Sequence, residues 1–111
     1  RGMRDEELTP IYSTKAEDPA LLEPISDFVI KLAETVDRLQ DSQSAGDFDQ
    51  LRGLCLGLEA AAGEFGYPRA SEIAREIAVA CALEKQESIE LGLLAITNLS
   101  QRIRLGHRGA A

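Results

Sequence analysis

Few side chains of this 111-residue chain could act as nucleophiles, metal ligands or proton carriers at neutral pH. The two cysteines, Cys55 and Cys81, form no CxxC pair, and their spacing argues against a metal site or a disulfide framework. The only histidine, His107, stands beside Arg108 near the end of the sequence. We interpret the cysteines as small buried thiols and the histidine as a solvated side chain, and we predict no metal and no cofactor.

Two aspartates, Asp47 and Asp49, are the remaining residues that could in principle accept a phosphoryl group. Asp47 is followed three positions later by Gln50, a pattern typical of the first residues of a helix, where the carboxylate caps backbone N–H groups. Asp49 falls on a predicted solvent-facing side of the same helix. We therefore assign neither aspartate a catalytic role.

The composition favours packed helices and argues against two classes of partner. Aromatic residues make up 5% of the chain and tryptophan is absent, so the core must consist of Leu, Ile, Val and Ala. The net charge of −7 argues against nucleic acid, which requires a basic surface. No apolar run approaches the ~20 residues needed to span a bilayer and no signal peptide is visible, so we predict no membrane contact and a cytoplasmic protein.

The first predicted helix starts at Asp18-Pro19, an N-cap carboxylate followed by proline at the first helical position. Pro24 should kink this helix or divide it into a short lead and a long main part. The helix should end near Ser44, with Gly46 as its C-terminal stop. Its apolar stripe consists of Leu21, Leu22, Ile25, Phe28, Val29, Leu32, Val36 and Leu39.

The second and third predicted helices meet at a break, with Gly66 ending the second near Phe65 and Pro68 opening the third. The inner face of the second helix consists of Leu51, Leu54, Cys55, Leu58, Ala61, Ala62 and Phe65. The third helix has an apolar face of Ala70, Ile73, Ala74, Ile77, Ala80 and Cys81. Because the cysteines lie at similar distances from the break, an antiparallel hairpin would place them at similar heights.

The fourth predicted helix opens at Glu87 or Ser88 and closes at Gly106. Its inner face consists of Ile89, Gly92, Leu93, Ile96, Leu99 and Ile103. Short connections make successive helices antiparallel neighbours, so the chain is predicted to be all-α, an up-down antiparallel four-helix bundle.

The predicted bundle spans residues 18–106, between an irregular arm and a short tail. The arm comprises residues 1–17, carries at most one short turn, and is expected to lie against the bundle through Ile11 and Tyr12. Residues 107–111 form the predicted tail.

The outer face of the second helix is small and uncharged where a solvent-facing helix normally carries charge. On a wheel of roughly 100° per residue, its centre holds Gly53, Leu56, Ala60 and Gly63, flanked by Arg52, Gly57, Glu59 and Glu64. Each glycine within a helix costs about 1 kcal/mol relative to alanine. Three glycines on one face therefore predict that something docks there.

The sequence LEAAAGEFGYP at residues 58–68 resembles the signature of histidine phosphotransfer (HPt) domains, whose helix reads His-x-Leu-Lys-Gly followed by small residues, a large apolar residue and Gly. The similarity extends over residues 10–105. It includes PIYS at 10–13, DP at 18–19, AGD at 45–47 and SEIA at 71–74. The resemblance implies the same four-helix bundle.

Aligned on Leu58, the phosphoaccepting histidine of the family falls on Leu56, its lysine on Glu59 and its glycine on Ala60. Leucine has no nucleophilic or titratable group, and Glu59 reverses a charge that would help to hold a phosphoryl oxygen. The resemblance therefore implies a pseudo-phosphotransfer domain that is not an enzyme.

In the HPt family, the face around the histidine is where a response-regulator receiver domain docks. We therefore expect a module of two-component phosphorelay signalling that binds a receiver domain or a sensor kinase. The expected partner-binding residues are Arg52, Gly53, Leu56, Gly57, Glu59, Ala60, Gly63 and Glu64.

Two alternatives stay open for this face. In the first, the bundle is a structural or self-association module that forms a homodimer through the same apolar face. In the second, the small residues are an inherited remnant or pack against the N-terminal arm.

Overall fold

The computed structural model describes residues 9–110, and the side chains of residues 9–107. Its elements are a 3₁₀ helix, Pro19–Leu21, and four α-helices: α1, Leu22–Ser44; α2, Phe48–Glu64; α3, Pro68–Ala82; and α4, Gln86–Ala110. No β-strand occurs in residues 9–110.

The four helices pack in a ring in the order of the chain. α2 packs against α1 and α3, and α4 packs against α3 and α1, whereas the helices of the two diagonal pairs have no Cα atoms within 8 Å of each other. The connections at residues 45–47, 65–67 and 83–85 are each three residues long, so successive helices are antiparallel. The predicted up-down four-helix bundle is therefore confirmed.

The core consists of the apolar stripes that the sequence predicts. The largest fully enclosed side chains are Leu32, Leu39, Leu51, Ile77, Ile89, Ile96 and Ile103. Burying one such side chain stabilises the folded protein by roughly 1.5–3 kcal/mol. The apolar stripe of each helix therefore faces the core. Leu22 is an exception, because it opens α1 beyond the last layer of the core and is more than half exposed.

Capping and turn residues set the helix boundaries close to the predicted positions. The Asp18 carboxylate accepts a hydrogen bond from the Ala20 N–H, and the Asp47 carboxylate accepts one from the Gln50 N–H, both at 3.0 Å. Pro24 is the third residue of α1, where a backbone N–H has no partner within the helix, so the proline is accommodated there. The division that Pro24 predicts is present as the 3₁₀ lead before α1.

The described part of the arm lies across one end of the bundle. The Ile11 N–H donates to the Arg102 carbonyl at 3.0 Å, and the Ser13 hydroxyl donates to the Phe65 carbonyl at 2.6 Å. Ile11 packs against the core as predicted. Tyr12 does not, because its side chain is 57% exposed. Residues 1–8 of the predicted arm lie outside the described residues.

The prediction that Gly106 ends the fourth helix is wrong, because α4 continues to Ala110. Gly106 instead permits the arm to cross: a Cβ on Gly106 would collide with the backbone of Ile11, whose carbonyl carbon would lie at 2.8 Å. His107 consequently belongs to the helix rather than to a solvated tail. It is half-buried, with Nε2 3.4 Å from the Ser26 hydroxyl.

Candidate functional site

The centre of the candidate face is open to solvent in the middle of α2. Gly53, Leu56, Gly57 and Ala60 are all exposed, and 41% of Leu56 is accessible. Leu56 lies one turn from Ala60 on the surface of the helix. The small, uncharged outer strip that the sequence predicts is therefore present, with a single large apolar side chain on it.

Gly53 and Gly57 have no packing reason to be glycine. A Cβ built on either residue meets no heavy atom within 4 Å. Alanine would fit at both positions and would favour the helix by about 1 kcal/mol each. The described residues of the arm contact the C-terminal end of α2, at residues 64–66. Residues 9–18 therefore give no support to the alternative that Gly53 and Gly57 accommodate the arm.

Three of the other predicted partner-binding residues take part in contacts within the chain. Ser71 of α3 donates its hydroxyl to the Glu59 carbonyl at 2.8 Å, and a Cβ on Gly63 would lie 3.5 Å from the same hydroxyl oxygen. The Glu64 carbonyl accepts a hydrogen bond from the Lys15 ammonium group at 3.0 Å. Glu59 and Gly63 thus belong to the α2–α3 contact, and Glu64 belongs to the contact with the arm.

Arg52 lies on the α3 side of α2, beside the two buried cysteines. Burial raises the pKa of Cys55 to about 12, with a smaller contribution from Cys81. Burial also raises the pKa of Cys81, although the Arg52 guanidinium lowers it in part. The two thiols are therefore near enough to influence each other, in keeping with the predicted similar heights. Both are free and protonated at neutral pH, which disfavours nucleophilic chemistry.

A groove of about 560 Å³ runs between α1 and α2, next to the open glycines. From α2 it is lined by Gly53, Leu54, Gly57, Leu58, Ala61 and Phe65; from α1 it is lined by Pro24, Asp27, Phe28, Lys31, Leu32, Thr35 and Arg38. The α1 side contributes two cations, Lys31 and Arg38, and one anion, Asp27. The surface predicted from the sequence included residues of α2 only. In the sequence, Lys31, Thr35 and Arg38 recur about one helical turn apart beside the apolar stripe of α1. This spacing is the pattern that could have indicated the α1 side of the groove.

One end of this groove is held in place by aromatic contacts. The ring of Phe28 lies 5.7 Å from that of Phe65 and 5.6 Å from that of Tyr67, measured between ring centroids. These contacts tie α1 to the turn that follows α2. The aromatic contacts therefore hold α1 and α2 together at this end of the groove.

The other residues that could do chemistry lie away from Leu56 or are already engaged. The Asp47 carboxylate caps α2, as predicted, and Asp49 is exposed on the first turn of that helix. His107 lies at the other end of the bundle, beside Ser26 and the arm. Among the described residues, no group of three or more His, Cys, Asp or Glu side chains could hold a metal ion.

Comparisons with known proteins add no relatives. No protein-family model, no curated protein and no solved structure matches the chain. Within the described residues, no helix has both the length and the apolar character to cross a membrane.

Proposed function

We propose that this chain is an HPt-like module of two-component phosphorelay signalling that binds a response-regulator receiver domain or a sensor kinase without transferring a phosphoryl group itself. The contact surface is the outer face of α2, with Leu56 at its apolar centre. Gly53, Gly57 and Ala60 allow a partner to approach closely, and Arg52, Glu59, Gly63 and Glu64 lie at the edge.

The observation that carries this proposal is the exposure of Leu56 beside two glycines that the fold does not require. A buried leucine stabilises a protein by roughly 1.5–3 kcal/mol, and a leucine left in solvent contributes little. The open glycines cost helix stability with no gain in internal packing. A partner that covers this face would account for both features, because small residues let its backbone come close to α2.

The absence of transfer follows from the chemistry at the same position. Phosphoryl transfer through an HPt domain needs an imidazole nitrogen that can form a bond to phosphorus, and the Leu56 side chain offers only C–H groups. Glu59 places a carboxylate where the resemblance would require a lysine, so an incoming phosphoryl group would meet repulsion. We therefore assign this protein a binding role rather than an enzymatic one.

The groove between α1 and α2 extends the proposed contact. Lys31 and Arg38 stand on its α1 side and form no ion pair with any residue in the described part of the chain. Cations at the edge of an apolar surface favour partners that present carboxylates there, and they raise the association rate more than the affinity. The proposed partner therefore covers Leu56 and also contacts the α1 side of the groove.

The direct test is binding to a panel of purified receiver domains from the same genome, with the wild type and with Leu56→Asp. We expect the substitution to weaken the affinity for the cognate receiver at least tenfold, because it places a charge at the centre of the contact. Leu94→Asp is the matched control, since Leu94 is an exposed leucine on α4, a helix with no Cα atom within 8 Å of α2. Equal affinity of Leu56→Asp and wild type for every receiver would contradict the proposal.

A second experiment tests whether the scaffold still presents the family's reactive position. In Leu56→His, combined with Glu59→Lys, a phosphorylated receiver should transfer its label to the introduced imidazole. The wild type should acquire no acid-labile label under the same conditions. Acid-labile label on His107 of the wild type would contradict the assignment of a non-transferring module.

Self-association through the same face is the second candidate, favoured by the same exposed leucine. Two copies paired through α2 would each hide Leu56 from solvent. Sedimentation across a range of concentrations separates the two candidates. A constant monomer mass would remove the dimer, whereas a dimer that dissociates in Leu56→Asp would favour it.

A further inference from the structure

A second apolar surface lies between α3 and α4, on a side of the bundle that the proposed function does not use. Val79, Leu83 and Leu91 are 50%, 58% and 61% exposed, and all three line a groove of about 480 Å³. Its remaining lining residues are Arg69, Ile73, Arg75, Glu76, Ala80, Lys85, Ser88, Gly92 and Ala95. Three large apolar side chains, from α3, from the residue that ends it and from α4, thus converge outside the core.

The small residues along this groove bring α3 and α4 close together. A Cβ on Gly92 would lie 2.5 Å from Cγ1 of Ile77, so only glycine lets the two helices meet at this point. Ala80 and Ala95 also line the groove and contribute two further small side chains. Val79, Leu83 and Leu91 add large apolar side chains to the same groove, a combination that suits the apolar face of a helix.

The charges along the groove differ from those of the chain as a whole. The chain has 12 basic and 19 acidic residues, yet the lining includes three basic residues and one acidic residue. Arg69 pairs with Glu72 at 3.0 Å. Arg75 and Lys85 form no ion pair with any residue that the structure describes. Their charges are therefore available to an acidic partner.

We propose that the α3–α4 groove binds an amphipathic helix of a partner protein that has acidic residues beside its apolar stripe. Val79 lies on α3 and Leu83 is the residue that directly follows the helix, one turn later and about 6 Å along the axis, so apolar residues three or four positions apart on the partner would meet them. Carboxylates flanking that stripe would face Arg75 and Lys85. This proposal does not depend on the role of α2.

The test uses the full chain labelled with ¹⁵N and a synthetic amphipathic helix as the probe. The probe has leucines at positions i, i+3, i+4 and i+7, with glutamates on both flanks; a matched peptide has lysines in place of the glutamates. The glutamate peptide should bind at least tenfold more tightly. It should shift the amide signal of Gly92 and leave those of Gly53 and Gly57 unchanged, since these glycines report on different grooves.

Two variants of exposed residues locate the contact. Leu83→Asp should weaken binding of the glutamate peptide at least tenfold. The double variant Arg75→Glu with Lys85→Glu should reverse the preference, so that the lysine peptide binds more tightly. Ile30→Asp is the control, at an exposed residue of α1 that lines neither groove, and it should bind both peptides like the wild type.

Three results would overturn the proposal. The first is equal binding of the two peptides by the wild type, and the second is unchanged binding by Leu83→Asp. The third is a dimer in sedimentation that Leu83→Asp converts to monomer, which would make a second copy of the chain the occupant.

Discussion

Two groups of glycines in this bundle differ in what surrounds them. Gly66, Gly92 and Gly106 lie where another part of the chain comes so close that a Cβ would collide with it. Gly53 and Gly57 lie on the outer face of α2, where a Cβ would meet nothing within 4 Å. The first group is explained by the fold of the single chain, and the second group is not.

This difference separates residues that assemble the bundle from residues available for contact with another molecule. The first group holds the arm against the bundle and brings α3 against α4. The second group lowers helix stability by about 1 kcal/mol per glycine without any internal contact in return. A stability measurement on each group therefore tests whether the distinction is real.

The largest effect is expected for Gly66→Ala, in the turn between α2 and α3. Gly66 has a φ of 88°, where a Cβ costs roughly 1–2 kcal/mol. The Cβ would also lie 2.9 Å from the backbone nitrogens of Thr14 and Lys15 in the arm. Overpacking adds roughly 1–3 kcal/mol, so we expect the free energy of unfolding to fall by about 3 kcal/mol in urea titrations.

Gly46→Ala is the matched control for this substitution. Gly46 has a similar φ of 73°, but an added Cβ meets nothing within 4 Å. Gly46→Ala should therefore show the cost of backbone strain alone, roughly 1–2 kcal/mol. If the two variants lose equal stability, the arm does not constrain Gly66 and the first group is wrongly defined.

The next effect is expected for Gly92→Ala in α4. The new Cβ would lie 2.5 Å from Cγ1 of Ile77, which is fully enclosed and cannot move aside. Overpacking at the upper end of its range, ~3 kcal/mol, less the ~1 kcal/mol gain in helix propensity, gives a net loss of about 2 kcal/mol in the free energy of unfolding.

The pairing of Gly92 with Ile77 is checked by a double-mutant cycle. In an Ile77→Ala background, which removes the colliding atoms, Gly92→Ala should become neutral or stabilising. If Gly92→Ala lowers the free energy of unfolding equally in the wild-type and Ile77→Ala backgrounds, the contact between Gly92 and Ile77 is not the cause of the loss.

The bundle could be predicted from the sequence because its signals are local. The apolar stripe of α1 that ends with Leu32, Val36 and Leu39 repeats at helical spacing. The start and the end of α2 are marked by Asp47 and Gly66, each of which is recognisable from the few residues around it. Each signal depends on residues within a few positions of one another. The orientation of the helices then follows from the short loops.

The sequence predicted that Ile11 packs against the bundle, but the place where the arm crosses it could not be predicted, because these contacts join residues far apart in the chain. Gly106 has the sequence features of a helix end, but its role depends on Ile11, which crosses α4 at that point. The same limit applies to the candidate surfaces. The wheel of α2 identified Leu56, whereas the α1 side of its groove and the α3–α4 groove depend on how neighbouring helices pack.

The smallest effect, opposite in sign, is expected for Gly53→Ala and Gly57→Ala. Each should raise the free energy of unfolding by about 1 kcal/mol, because alanine favours the helix and its Cβ fits into open space. If the proposed contact is correct, the same substitutions should weaken binding of the receiver domain, since the methyl groups hold the partner further from α2. Urea titrations and a binding isotherm on the same samples measure the two effects together.

The reverse substitution, Ala60→Gly, provides the control on the same face of α2. It should lower the free energy of unfolding by about 1 kcal/mol and leave the affinity for the receiver unchanged or higher, because it removes a methyl group from the contact. Stabilisation by Gly53→Ala and Gly57→Ala with no change in affinity would contradict the proposed close approach. In that case the open glycines would be unrelated to docking, and Leu56 alone would have to account for the recognition of a partner.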